Sequence, residues 1–310
     1  MQSSPLRWFK GNTHTHTINS DGDSTPDDVV KWYREHGYNF LVLTDHEFVT
    51  NVVGLNSLHG KASHFLVISG QEITDSFNKK PHHANGLGLQ KAIMPQKGDS
   101  VVSTIQRDVD AIREADGVPQ INHPNFGWAL NAESLRQVNN VSLFEVYNGH
   151  PLVNNVGGGD SPGTEEIWDT VLSAGKLIYG VATDDAHHFK RIGDRTASTP
   201  GHGWVVVRAA ELTAGSILPA MEKGDFYAST GVELDELVTD GRSIAIKVKE
   251  QRWSKYRIQF IGKNGRILAE YSSGAASYTI KGDEGYVRAK VIESNGNIAW
   301  IQPVLVTVQK

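Results

Sequence analysis

The sequence predicts an α/β protein. Repeating strand–helix units build a mainly parallel sheet over residues 1–236, and a small antiparallel β domain follows over residues 237–310. Three observations predict this. Short apolar runs alternate with helical patterns through the first two thirds of the chain. Polar residues capable of holding a metal follow those runs again and again. From about Leu237 the helical period disappears and strict alternation takes over.

Phe9 to Thr13 is short and rich in aromatic and β-prone residues. Ser24-Thr25-Pro26-Asp27-Asp28 starts a helix, with hydroxyl caps, a proline in the first turn and acids near the positive end. That helix runs to about His36, and Gly37 stops it. Phe40 to Leu43 is a continuous apolar run, as expected of a strand buried on both faces, and it ends in Thr44-Asp45-His46. Phe65 to Ile68 leads in the same way to Gly70-Gln71-Glu72.

Ile105, Val109 and Ile112 form one face of a helix over Thr104 to Ala115. Val118 to Ile121 leads to Asn122-His123-Pro124, and Leu143 to Val146 leads to Tyr147-Asn148-Gly149. After a helix over Thr164 to Ala174, Leu177 to Ala182 leads to Thr183-Asp184-Asp185-Ala186-His187. A strand over Trp204 to Val207 and a helix over Ala214 to Glu222 complete about seven units, enough to close a barrel. In a parallel β/α barrel the reactive groups sit at the C-terminal strand ends. In the last segment Tyr256, Ile258 and Phe260 alternate with polar residues, Asn264-Gly265 and Asn295-Gly296 signal hairpin turns, and Pro303 suits an edge or a strand end. The aromatic residues there, Trp253, Tyr256, Tyr271, Tyr278, Tyr286 and Trp300, read as that domain's core rather than a binding face.

Composition excludes several classes. The 310 residues contain no cysteine, so a disulfide scaffold, a Cys-ligated zinc site, an iron–sulfur protein and a thiol nucleophile are ruled out. A net charge of -5 argues against broad binding to nucleic acid or anionic lipid. No apolar run approaches the roughly 20 residues of a membrane span. Met1 to Lys10 lacks the apolar core of a signal peptide. Met1 reads either as an added start on a mature chain or as a cytoplasmic terminus, so periplasmic, secreted and cytoplasmic locations all stand.

The sharpest chemical signal is Thr13-His14-Thr15-His16, because side chains two apart on an extended segment point the same way. Imidazole suits zinc, iron or manganese. Asp21 follows in a turn, His46 and Glu72 end strands, His83 precedes Ala84-Asn85-Gly86, His123 sits before a proline, and Asp185 and His187 stand two apart. Six of the chain's 13 histidines fall in this set of nine. Core packing does not explain that, since histidine is costly to bury without partners. Asp45 is a candidate to orient a ligating imidazole. His36, His59 and His64 read as ordinary helix or loop histidines.

The ordered motifs HTHTINSDG, LTDH, GQEIT, HHANGLG, INHP and TDDAH resemble the PHP (polymerase and histidinol phosphatase) family of metal-dependent phosphoesterases. Gly201-His202-Gly203-Trp204 and Phe226-Tyr227-Ala228-Ser229-Thr230-Gly231 resemble its CehA/McbA-type metallohydrolase branch. The resemblance implies a distorted (β/α)7 barrel holding two to three divalent ions of manganese, zinc or iron. It implies that His14, His16, Glu72 and Asp185 bind the first. Glu72 would bridge to a second held by His83 and His123, with His82 as the alternative to His83. Asp21, His46 and His187 would hold the third. Many family members have His where Asp21 stands, which leaves the affinity of that site open.

The expected reaction is hydrolysis of a small organic phosphate ester by a hydroxide bridging two ions, with His14, His16, Glu72, Asp185 and His187 at its centre. Arg191, Arg195 and Lys190 are candidates to bind phosphate. Asn148, His188 and His202 are candidates for substrate contact or leaving-group protonation. Carbamate or carboxyl-ester hydrolysis on the same ions, and a secreted protein that binds without catalysis, are the alternatives. No polymeric nucleic acid is expected as a partner, and the oligomeric state stays open.

Overall fold

The computed structural model describes residues 5–306. Met1 and the reading placed on it lie outside the described residues. The first half runs β1 (Arg7–Asn12), α1 (Pro26–Glu35), β2 (Phe40–Leu43), α2 (Val53–Ser63), β3 (Leu66–Phe77), β4 (Lys80–Leu87), α3 (Val101–Glu114), β5 (Val118–Ile121), α4 (Ala132–Gln137) and β6 (Leu143–Asn148). It continues with α5 (Thr164–Ser173), β7 (Tyr179–Thr183), β8 (Trp204–Ala209), α6 (Ala214–Glu222) and β9 (Phe226–Ser229). Apart from one 3-10 turn (Lys263–Gly265) the last segment is strand: β10 (Leu234–Thr239), β11 (Ser243–Val248), β12 (Tyr256–Gly262), β13 (Arg266–Tyr271), β14 (Ala275–Thr279), β15 (Tyr286–Glu293) and β16 (Ile298–Leu305).

Local chemistry accounts for the helix starts. Thr25 caps α1 through its side chain, with Pro26 in the first turn and Asp27 and Asp28 behind it. Ser100 caps α3 in a reciprocal pair with Ser103, which moves the start three residues ahead of the expected Thr104.

One sheet of thirteen strands carries most of the chain, in the order β13-β12-β15-β16-β9-β8-β1-β2-β3-β4-β5-β6-β7, and β10-β11-β14 form a second sheet. Only part of the larger sheet is parallel. β1–β2, β2–β3, β5–β6 and β6–β7 are parallel pairs. β3–β4, β4–β5 and β1–β8 are antiparallel. The reversal at β3–β4 is a two-residue hairpin whose central residues, Asn78 and Lys79, both have positive φ (49° and 64°). That conformation matches the twist of paired strands. No apolar run marks β4, and the sequence assigns no strand there.

Among the described residues no backbone ladder joins β7 to β8. Gln302 on β16 instead clasps β7 through its side chain, accepting from Gly180 N at 2.9 Å and donating to Gly180 O at 2.8 Å. β16 pairs with β9, so the antiparallel segment continues the sheet of the first 229 residues. Pro303 lies within this strand, at the irregularity of the β15–β16 ladder rather than on an edge.

The core divides by height. Phe9, Phe40, Val42, Ile68, Leu143, Val181 and Val205 pack with α6 through Ile217 and Met221. Gly11 is required there: a Cβ would meet the Phe40 ring at 2.2 Å. Tyr256, Tyr278, Tyr286 and Trp300 are buried as expected, whereas Trp253 and Tyr271 are exposed. No described helix is long and apolar enough to cross a membrane. Beyond the C-terminal ends of the parallel strands the buried residues turn polar, and the site lies there.

Candidate metal centre

Just past β1 the chain stays extended between the ends of β2 and β7. Thr15 N donates to Thr44 Oγ1 at 3.0 Å and His16 N donates to Ala186 O at 2.9 Å. This puts the His14 and His16 rings on one side, 5.2 Å apart between centroids and fully buried. Glu72 enters from β3, where its backbone pairs with His46 past the end of β2. Asp185 follows β7 with φ of 50°, a left-handed conformation that a non-glycine residue adopts at a cost of about 1–3 kcal/mol and that clusters at functional sites.

The nine residues singled out from the sequence converge as three overlapping donor groups. His14, His16, Glu72 and Asp185 form one, Glu72, His83 and His123 another, and His16, Asp21, His46 and His187 the last. In each group one donor atom per residue lies within 4.8 Å of every other. Glu72 divides its two oxygens. Oε2 stands 3.1 Å from His14 Nε2 and 3.3 Å from His16 Nε2, while Oε1 stands 3.1 Å from His83 Nδ1 and 3.2 Å from His123 Nε2. Asp21 stands 3.4 Å from His187 Nε2 and 3.6 Å from both His46 Nε2 and His16 Nδ1. His16, shared through its two nitrogens, was not expected in this last group.

These donors fit divalent ions. His14 Nδ1 lies 2.7 Å from Glu145 Oε1, and a carboxylate only accepts, so the proton of the neutral ring sits on Nδ1. In that neutral form the Nε2 lone pair faces Glu72 and Asp185 oxygens at 3.1 and 3.2 Å. Nε2 is indeed buried without a hydrogen-bond partner. A cation placed among these atoms turns mutual repulsion into coordination. Nitrogen and oxygen donors without sulfur suit manganese, iron or zinc.

The ionisation pattern has the same origin. Burial pushes the Glu72 carboxyl up, but the imidazoles of His14, His46 and His83 hold it well below the ordinary range. Asp185 behaves likewise, with burial opposed by His14, His16 and His187. Burial pushes His14 down, and Asp185, Glu72 and Glu145 together hold it well above its usual value, so without an ion a second proton on Nε2 takes the place that a cation would fill.

The surrounding shell was only partly visible in the sequence. Glu145, inside the apolar run of β6, accepts from His123 N at 2.7 Å, Thr183 Oγ1 at 2.7 Å and Asn148 Nδ2 at 2.8 Å besides meeting His14. Asp45 contacts no ligand imidazole through a hydrogen bond. It accepts from Thr17 N, Ser20 Oγ and Thr50 Oγ1, and so fastens the turn that carries Asp21. Asn148 is buried. Its Nδ2 donates to Glu145 and, at 3.1 Å, to Asp185 Oδ2, and its Oδ1 accepts from His150 N, so its amide is committed to partners within the protein.

A cavity of about 360 Å³ opens on the donor groups, walled also by Glu47, Thr74, Phe126, His150 and Leu152. His83 faces it. His82, the alternative, is buried with neither ring nitrogen partnered, as expected where neighbours on a strand point oppositely. Arg191, Arg195, Lys190, His188 and His202 are not among the residues lining the cavity. Arg191 is exposed and pairs with Asp194, Arg195 is exposed, and His202 bonds Thr199 Oγ1 at 2.9 Å. His150 had no place in the sequence reading. Its signal was its position, two residues beyond Asn148 at a strand end. Burial lowers its pKa.

No family model matches the chain. Over 154 residues it is 25% identical to an uncharacterized protein of Methanocaldococcus jannaschii, covering 46% of this chain and 70% of that one. A two-domain protein of Bacteroides vulgatus containing a predicted PHP-like metal-dependent phosphoesterase aligns over 100% of this chain and 96% of its own, with a TM-score of 0.55 and 15% identity. A protein of Bifidobacterium adolescentis assigned as a metal-dependent phosphoesterase aligns over 59% of this chain and 91% of its own, with a TM-score of 0.45 and 14% identity. The likeness to the Bacteroides protein is one of fold and extends through both of its domains.

Proposed function

We propose that this chain is a metal-dependent hydrolase, a phosphoesterase acting on a small organic phosphate ester. The observation that carries the reading is Glu72, buried with its two oxygens divided between two sets of imidazoles. In this reading His14, His16, Glu72 and Asp185 hold one divalent ion, and Glu72 with His83 and His123 holds a second. Asp21, His46 and His187, joined by His16, hold a third, and manganese, zinc or iron meets the donor chemistry. Ions held there supply Lewis acidity toward the ester and make water a stronger acid at neutral pH.

The chain's own residues do the rest. Glu145 keeps the His14 proton on Nδ1 and frees Nε2 for the site. Asn148 fixes Asp185 against rotation. Phe126 and Leu152 give one wall of the cavity an apolar surface. Divalent ions held at these donors would concentrate positive charge where the ester oxygens meet the site, which supports an anionic phosphate ester over a neutral one. The motifs from HTHTINSDG to TDDAH, with GHGW and FYASTG, support a place in the CehA/McbA-type branch. Residues 1–236 would carry the chemistry and 237–310 a supporting β domain.

A neutral carbamate or carboxyl ester is the second reading, favoured by one observation: no lysine or arginine lines the cavity among the described residues. The test is a hydrolysis panel of a phosphomonoester, a phosphodiester and an aryl carbamate on protein reloaded with Mn²⁺ or Zn²⁺. Each arm carries a chelator control and the H14A/H16A protein. Chelator-sensitive release from a phosphate ester, absent in the double variant, is the expected result. Release from the carbamate alone overturns the phosphate reading and keeps the hydrolase. Silence on all three with metal bound overturns the hydrolase reading for these ester classes.

A further inference from the structure

His150 is the one imidazole on the cavity wall that belongs to none of the three donor groups, among the described residues. Three hydrogen bonds hold it. Its N–H donates to Asn148 Oδ1 at 2.8 Å, its carbonyl accepts from Val153 N at 3.0 Å, and Leu152 N donates to its Nδ1 at 3.2 Å.

The last bond determines the ring's chemistry. A backbone N–H only donates, so Nδ1 must present its lone pair, and the single proton of the neutral ring sits on Nε2. A ring protonated on both nitrogens would set Nδ1–H against Leu152 N–H. Nε2 has no partner within the protein among the described residues. The wall therefore carries one N–H donor of fixed direction beside the metal donors.

Its distance from those donors is also fixed. The Asn148 side chain that accepts from His150 N donates to Asp185 Oδ2 and Glu145 Oε2. Carboxylates only accept and the His150 N–H only donates, so that amide has a single orientation. The His150 ring stands edge-on to His187 at 5.6 Å and to Phe126 at 6.3 Å, between a donor group and the apolar wall.

We propose that His150 is a substrate-contacting residue whose Nε2–H binds an oxygen of the ester, phosphoryl or carbonyl, as a neutral hydrogen-bond donor. Phe126 and Leu152 beside it are the surface on which the carbon part of that ester packs. This inference rests on the hydrolase reading and extends it to a residue outside the ligand set.

Two measurements test it. Long-range ¹H–¹⁵N spectra of the full chain at pH 7, with the His150→Gln protein to assign the signal, are expected to show the Nε2–H tautomer. The Nδ1–H tautomer or a doubly protonated ring overturns the proposal. Kinetics on whichever ester the metal-loaded protein turns over form the second arm. His150→Ala is expected to keep its metal content and lose about 10- to 100-fold in kcat/KM, the range for a hydrogen bond to a charged oxygen. His150→Gln, which retains an N–H donor, is expected to recover part of that loss. An active wild type with an indifferent His150→Ala variant, or loss of metal along with activity, overturns this inference alone. A wild type that holds no metal and turns over no ester removes the hydrolase reading and this inference with it.

Discussion

Two clusters of buried charge stand in this molecule, and they are built oppositely. Between α5 and β15, Arg288 meets Asp169 through Nε at 2.7 Å and Nη2 at 2.8 Å, Tyr286 donates to the same carboxylate at 2.7 Å, and Lys290 meets Glu165 at 2.6 Å. Each carboxylate there faces a permanent cation, and the Arg288 guanidinium also lies over the Trp168 ring at 4.9 Å. At the end of the parallel strands Glu72 and Asp185 face imidazoles and neutral amides, Asn122 donating to Glu72 at 2.8 Å and Asn148 to Asp185 at 3.1 Å, with no lysine or arginine among the described residues beside them. One cluster is electrically complete within the chain and reads as architecture. The other sets its carboxylates against imidazoles, which can give up their protons, and reads as a site that an outside cation completes. Burial by itself does not separate the two; the proton inventory does.

The largest expected effect breaks the second cluster. Glu72→Ala removes a donor from two groups at once, so metal content is expected to drop and hydrolysis to fall to the level of chelator-treated wild type. Full activity in that variant would mean the divided carboxylate holds no ion.

The complementary change is Arg288→Ala, which leaves Asp169 buried without its cation. Stability to urea is expected to fall by about 3–5 kcal/mol. Metal content is expected to stay at the wild-type level, and a metal loss as large as that of Glu72→Ala would erase the distinction between the clusters.

Asp108 on α3 sharpens the comparison, because it is buried with neither solution: Oδ2 has no partner and burial pushes its pKa up to about 7. A raised carboxyl pKa means the folded state holds a proton that the unfolded state has released. Stability therefore falls as pH rises from the unfolded value near 4 toward 7, and stays reduced above that. Asp108→Asn is expected to be more stabilising at pH 8 than at pH 4 by on the order of 3 kcal/mol, read from urea unfolding at the two pH values. An equal effect at both would show that Asp108 is ionised in the fold.

Smallest is Glu145→Gln, which keeps the shape but lets the amide donate toward His14. Metal affinity is expected to weaken about 10- to 100-fold with little change in fold, measured by competition with a chelator. Unchanged affinity would mean the His14 tautomer is set elsewhere.

Strand ends capped by polar residues were legible because a strand buried on both faces is an uninterrupted apolar word, and the polar residues after it stand out. Phe40 to Leu43 and Phe65 to Ile68 are such words. β4 was not, since its residues up to His83 carry no apolar run, and its partner β3 continues past Glu72 through polar text. Glu145 was hidden for the opposite reason: it is one polar residue inside an apolar strand, and its function depends on four partners, most of them far away in sequence. His150 carried no motif, and its tautomer depends on a backbone N–H two residues on.

By itself the sequence determined which residues are able to hold a cation, because residue type and spacing along a strand decide donor chemistry. It also determined the strand–helix grammar of the first two thirds and the alternation of the last. Only the tertiary structure decided how Glu72 divides its oxygens and that His16 serves two groups. It alone joined the last strands to the first sheet through β9 and β16. The physical reason is common to these cases. Direction of a lone pair, position of a proton and the partner of a strand are set by contacts between distant segments, and distance along the chain carries no record of them.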